Sequence, residues 1–206
     1  MIARIKEANR LTREFIRGEF RDQLWMSAVA FVVLLVAGFA IGMIMTDLAD
    51  NFIMFFSQNI ANSGILDNDG KIHLLPLLGS NLRAAILTIS YGVIPFIYLP
   101  ALSLGVNSLL LGFFAAYYVR NGMSMLFYLA AIIPHGIFEL PALVLSIALG
   151  LYLCKAVSNY AQNNVKGTVS TAVMNIMRVF LLRAAPLFIL ASILESYVTP
   201  WVITLF

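Results

Sequence analysis

Apolar residues fill four long blocks of the chain, broadly 24–45, 84–119, 123–154 and 184–206, and most charged residues crowd into the stretches between them. No Asp, Glu, Lys or Arg occurs from Gln23 to Thr46, from Ala84 to Val119 or from Asn121 to Phe138. About 20 apolar helical residues cross the roughly 30 Å of bilayer hydrocarbon, so blocks of this length predict transmembrane helices. The first block predicts one span, residues 25–45, with Trp25 at its interfacial end. Between Arg83 and Arg120 lie 36 uncharged residues; as one helix they would run about 54 Å, so the chain must turn back. Pro95 and Pro100 in "GVIPFIYLPALSLG" mark the turn and give a short span 81–94 and a third span 101–119. The block from Asn121 to Cys154 is also too long, and "IIPHGIFELP" predicts a break at Pro134 and Gly136, which both disfavour an uninterrupted helix. Span four is then 135–154, preceded by a half-helix or surface segment over 123–133, and the last span is 184–204. The expected fold is all-α, a polytopic transmembrane helix bundle of about five spans with broken or half-helices at Pro95/Pro100 and Pro134/Gly136.

The segments outside these blocks have patterns of their own. In residues 1–22 an apolar stripe of Ile5, Ala8, Leu11, Phe15 and Phe20 opposes a face carrying Arg10, Arg13, Arg17 and Arg21, an amphipathic basic helix suited to a membrane surface, with its arginines toward lipid phosphates or an acidic partner. Its four acids argue against a cleaved signal, and 23–206 is expected to form a single transmembrane domain. "NFIMFFSQNI" predicts a short outer-surface helix, and "LDNDGK" a turn, since the remaining ligand positions of a calcium loop are missing. Small residues recur at helical spacing as Gly38 and Gly42, as Ser108, Gly112 and Ala116, and as Ala142, Ser146 and Gly150, which predicts close helix packing and makes a homodimer an expectation. "LPAL" occurs at both 99–102 and 140–143, a short echo between the two proline sites.

Composition excludes a soluble domain, because 61% hydrophobic and 11% charged residues lie well outside the roughly 45–50% and 25% usual for such domains. The net charge of +3 is not a nucleic-acid signal, since the cations flank the apolar blocks. Residues 155–183 carry Lys155, Lys166, Arg178 and Arg183 with no acid, whereas residues 47–80 are net negative, with Asp47, Asp50, Asp67 and Asp69 against Lys71. The positive-inside rule then places 155–183 and the N-terminus in the cytoplasm, and 47–80 and the C-terminus outside the cell membrane. A single thiol, Cys154, rules out an internal disulfide.

Against this apolar background His135 and Glu139 stand four residues apart, Glu195 interrupts the last block and Asn107 sits near the middle of span three. Glu139 lies 16 residues before Lys155 and Glu195 lies 12 after Arg183, about 24 and 18 Å from the inner interface along continuous helices, so the carboxyls fall near one level. An ionised side chain at the bilayer centre costs at least about 2.5–3.5 kcal/mol, and each carboxyl therefore needs a partner, water or a proton. The expected site is a buried polar cluster of Asn107, His135, Glu139 and Glu195 beside the structural motif Pro134, Gly136 and Pro141. His135, Glu139 and Glu195 offer three possible metal ligands, but there is no HExxH, no second intramembrane histidine and no nucleophile paired with a base. An enzyme is not expected, and no cofactor is called for.

"PHGIFELPA" at 134–142, the asparagine of "GVNSLLLG" and "ILESYVTP" at 193–200 together resemble the stage II sporulation protein M family of integral membrane proteins. Asn107, His135, Gly136, Glu139, Pro141 and Glu195 match the family's characteristic positions, although Ser108 stands where the family pattern has Gly. The resemblance implies a membrane scaffold that organises cell-envelope partner proteins, as founding members do with cell-wall-remodelling proteins during spore engulfment. The alternative is a transporter or channel for a proton, cation or small solute, because intramembrane ionisable residues commonly serve ion movement. The lipid bilayer is the one partner required by either role.

The orientation is tested by cysteine labelling on a background lacking Cys154. Asn68→Cys should react with an impermeant reagent from outside the cell, and labelling from the cytoplasmic side alone would invert the topology.

Overall fold

The computed structural model describes residues 2–67, 71–164 and 167–206, and among these it is all-α. Helices α1 (Ile2–Arg17), α2 (Arg21–Ile44), α3 (Thr46–Ala61), α4 (Leu74–Ser90), α5 (Pro100–Arg120) and α6 (Met125–Asn163) are followed by α7 (Thr168–Val179), α8 (Ala185–Ile193) and α9 (Thr199–Ile203). One isolated bridge, Leu66 with Ile72, flanks the "LDNDGK" turn, whose residues 68–70 lie outside the described residues, as does Lys166. Among the described residues five helical stretches are long and apolar enough to cross a bilayer: Arg21–Ile44, Leu74–Val93, Pro100–Arg120, Met125–Asn163 and Thr168–Ile203.

The chain forms two compact units. The first comprises residues up to Ala30, Leu82–Leu104 and Pro141–Leu187. Its core is the second half of α6, where Ala142, Ser146, Ile147, Ala148, Leu149 and Cys154 are fully buried. Gly150 lets this helix touch the Thr88 carbonyl and Pro100, and a Cβ there would stand 2.7 Å from the carbonyl oxygen. The expected turn at Pro95 and Pro100 is present, with α4 ending in a 3₁₀ turn at Tyr91–Val93 and Pro100 opening α5. The turn places Phe96 and Tyr98 at φ 68° and 51°, left-handed conformations that cost about 1–3 kcal/mol each for such residues. Two bonds hold it there: Phe96 N–H donates to Ser158 Oγ at 3.0 Å, and the Cys154 thiol to the Ile94 carbonyl at 3.3 Å.

Helix α1 packs against α7 and buries Phe15 of its apolar stripe, while Ile5 at the start of the stripe stays exposed. Phe15 and Phe20 stack at 5.2 Å and meet the edge of Tyr152. Arg10 lies between Glu7 and Glu14 at 2.5 and 2.7 Å, while Arg13, Arg17 and Arg21 are exposed. The hydrogen bond from Arg10 holds the Glu7 carboxyl below the usual carboxylate range. The pair is open to solvent and adds little to stability.

The second unit comprises Phe31–Asn81, Gly105–Leu140 and Phe188–Phe206. The small-residue rows of α2 and α5 mesh here within one chain. A Cβ on Gly38 would lie 2.7 Å from the Leu109 carbonyl oxygen, one on Gly42 2.8 Å from the Ala116 side chain, and Gly112 faces the backbone of Leu35, Gly38 and Phe39. The "NFIMFFSQNI" helix is α3, with Phe52 packed edge-on to Phe113 at 5.5 Å and Asp50 ion-paired with Arg120.

Three expected boundaries are corrected. No break occurs at Pro134 and Gly136: α6 runs unbroken for 39 residues, about 58 Å, so 123–133 is neither a half-helix nor a surface segment and the span does not start at 135. A proline removes one helical hydrogen bond, whereas ending the helix in hydrocarbon would strand several backbone groups, so continuity costs less. Span two begins at Leu74 instead of 81 and, with its 3₁₀ turn, reaches 20 residues, about 30 Å, enough for a crossing. The last span begins at Thr168 instead of 184, with α7, α8 and α9 joined through π-helical turns at Phe180–Ala184 and Leu194–Val198. Each π turn closes two residues before a proline, Pro186 or Pro200. The wider turn keeps the proline ring off the carbonyl that an α-helix would press against it.

The contact at Gly112 should be selective. Gly112→Ala should lower thermal stability in detergent by about 1–3 kcal/mol through overpacking, whereas Gly79→Ala, also helical but with nothing within 4 Å, should be neutral or stabilise by up to about 1 kcal/mol.

Candidate functional site

The ionisable residues of the second unit's apolar helices converge. His135 and Glu139 share one face of α6 because residues four apart on a helix are neighbours. Glu195 lies in the π turn Leu194–Val198, and Thr199 opens the last helical segment behind it. One ligand atom each from His135, Glu139 and Glu195 falls within 4.8 Å of the others. His135 Nε2 stands 3.7 Å from Glu139 Oε2, and Nδ1 forms a 3.1 Å hydrogen bond with Thr199 Oγ1. All three ionisable side chains are half-buried, with His135 14% and Glu139 27% exposed, and Thr199 is buried.

The electrostatics are unbalanced. Among the described residues neither carboxylate has a lysine or arginine partner, and Arg120 of this unit is committed to Asp50. On the helix of Glu195, the buried hydroxyls of Ser192 and Ser196 have no hydrogen-bond partner among the described residues. An acid-rich, polar locus in apolar helices is suited to attracting a proton or a metal cation.

Of the other expected site residues, Asn107 is half-buried on α5 in the same unit and is not without a partner. Pro134, Gly136 and Pro141 lie inside α6, where Gly136 is buried. Ala142, Ser146 and Gly150 serve the core of the first unit, and the arginines of α1 belong to that unit as well. Thr199 was not expected in the site. Its signal was its place four residues after Glu195, repeating the spacing of His135 and Glu139.

The first unit has a polar cavity of about 360 Å³ lined by Glu19, Gln23, Tyr152, Lys155, Asn159 and Thr171. Its groups answer one another: Tyr152 donates to Glu19 at 2.9 Å, and the Gln23 amide, turned to suit both neighbours, bridges the Glu19 carbonyl and Lys155 Nζ. The His–Glu–Glu locus has two carboxylates and, among the described residues, no lysine or arginine to answer them, and it is the stronger candidate.

The family model described as stage II sporulation protein M matches residues 27–200, a range that includes every residue of this cluster. The chain belongs to that family. This membership and the five apolar helices make it an integral membrane protein. An uncharacterized protein of Methanocaldococcus jannaschii is 28% identical over 155 residues, covering 74% of this chain and 68% of the relative. No solved structure matches the chain.

The hydrogen bond to Thr199 fixes the ring of His135. Thr199→Val should cost about 1 kcal/mol in thermal stability, and nitrogen NMR of the imidazole should change from one dominant tautomer to a mixture; an unchanged spectrum would show that the ring is oriented by something else.

Proposed function

We propose that this stage II sporulation protein M family member handles a cation within the membrane, with His135, Glu139 and Glu195 as the binding locus, and that it belongs to the transporter or channel class. The observation that carries this reading is the convergence of the three ligand atoms within 4.8 Å in apolar helices. Each carboxylate at such depth costs at least about 2.5–3.5 kcal/mol on insertion scales. A lock between helices could be made from serine, threonine or asparagine at lower cost, so two acids and a histidine fit a site that takes up positive charge better than a fastening. A cytoplasmic N-terminus and an external C-terminus in the cell membrane remain part of the reading, supported by the four cations and no acid that residues 155–183 place around the adjoining ends of α6 and the last span.

A scaffold or partner-organising role, which the resemblance to the stage II sporulation protein M family implies, is the second reading. In it the cluster fastens α6 to the last helix, and the charged surfaces engage cell-envelope proteins. The small-residue row of α2 is taken up inside one chain, so a homodimer in either reading needs another surface.

Reconstituted liposomes separate the two. Wild type should carry at least one member of a panel of protons, monovalent cations and divalent cations, and Glu139→Gln should abolish that flux by tenfold or more. Folded wild-type protein that is silent across the whole panel would leave the scaffold reading in its place.

A further inference from the structure

Resting on the cation-handling reading, we infer that His135, Glu139 and Glu195 form a binding site for one divalent transition-metal ion of the zinc and cobalt type, with Thr199 orienting the histidine.

The distance between His135 Nε2 and Glu139 Oε2 carries much of the argument. At 3.7 Å it is too long for a hydrogen bond. Two ligands bound at about 2.0–2.1 Å in a tetrahedral zinc site lie roughly 3.4 Å apart, so the observed separation is close to that of two donors sharing an ion. Glu195 completes a triad no wider than 4.8 Å, which a rotation of a carboxylate can close. The second observation is independent of the first. Nδ1 of His135 is engaged with Thr199 Oγ1 at 3.1 Å, which leaves Nε2 on the side of Glu139. A metal-bound histidine almost always donates its other ring N–H to an oxygen, and that contact selects the tautomer whose free lone pair binds the ion.

Charge and ligand type narrow the identity of the ion. Two carboxylates with no lysine or arginine partner among the described residues are neutralised by one divalent ion. Magnesium and calcium favour all-oxygen sites, whereas an imidazole nitrogen suits zinc, cobalt, iron and nickel. Three protein ligands leave one tetrahedral position for water or an exchangeable group, as in zinc sites that are not purely structural. The π turn contributes by placing Glu195, an acid, and Thr199, the orienting hydroxyl, at one site on the last helix. Such turns frequently occur at functional sites in helices.

Cobalt alone is the probe, since it occupies zinc-type sites and its visible absorption reports coordination. The full chain, purified in detergent and stripped of metal, should bind one Co²⁺ with a tetrahedral-type visible spectrum. Zn²⁺ should displace it, whereas Mg²⁺ at equal concentration should not. The isosteric Glu139→Gln and Glu195→Gln variants should each weaken binding by a hundredfold or more, Thr199→Val by about tenfold, and His73→Ala, at the exposed histidine just before α4 and outside the cluster, not at all. Thermal melts without metal verify that each variant is folded. Absence of Co²⁺ binding to wild type at millimolar concentration, or undiminished binding to the folded double Glu→Gln variant, would overturn the site. Metal binding without flux would keep the site and remove the transport reading; proton flux without metal binding would do the reverse.

Discussion

A backbone N–H or C=O left without a partner in hydrocarbon costs several kcal/mol, and the helical ladder is the nearest source of partners. That constraint explains why α6 carries Pro134 and Pro141 without ending. It also explains the last span, where π turns ahead of Pro186 and Pro200 take the place of a break. The one place where a proline pair does reverse the chain, Ile94 to Leu99, is furnished with partners from α6, the Ser158 hydroxyl and the Cys154 thiol.

Prolines show where the sequence is legible and where it is not. Pro95 and Pro100 were readable as a turn because the 36 uncharged residues around them exceed one crossing and must reverse. Pro134 appeared in an equally overlong block, but there the excess length is taken up by a helix of 39 residues. The same "LPAL" opens α5 at Pro100 and lies inside α6 at Pro141. Local chemistry is identical at the two places, and only the tertiary surroundings distinguish a start from a continuation. The start of span two at Leu74 was missed for a different reason: Arg83 looked like a boundary although a helix can carry one long cation whose stem lies along apolar surface.

Much of the candidate site could be read from the residues alone, because acids within the apolar blocks are few and His135, Glu139 and Glu195 stand out against them. The histidine and its glutamate were visible as an i,i+4 pair, which an unbroken α6 makes more regular than a broken one would have. Thr199 was hidden because threonine is unremarkable in a helix, and the π turn because no simple periodicity encodes an i→i+5 bond. The glycine contacts between α2 and α5 were legible as small-residue rows, but rows of this kind do not say whether the facing backbone belongs to the same chain.

The prolines of α6 also bear on mechanics. Pro134 and Pro141 are seven residues apart and each withholds an N–H, from the carbonyls of Ala130 and Ile137 respectively. The two gaps in the ladder therefore lie along one stripe of the rod, and the stretch between them, which carries His135 and Glu139, is flanked by two missing backbone bonds. Bending at those gaps would change the spacing between those two side chains and the carboxylate of Glu195, so the geometry of the cluster follows any flexure of the element that carries it.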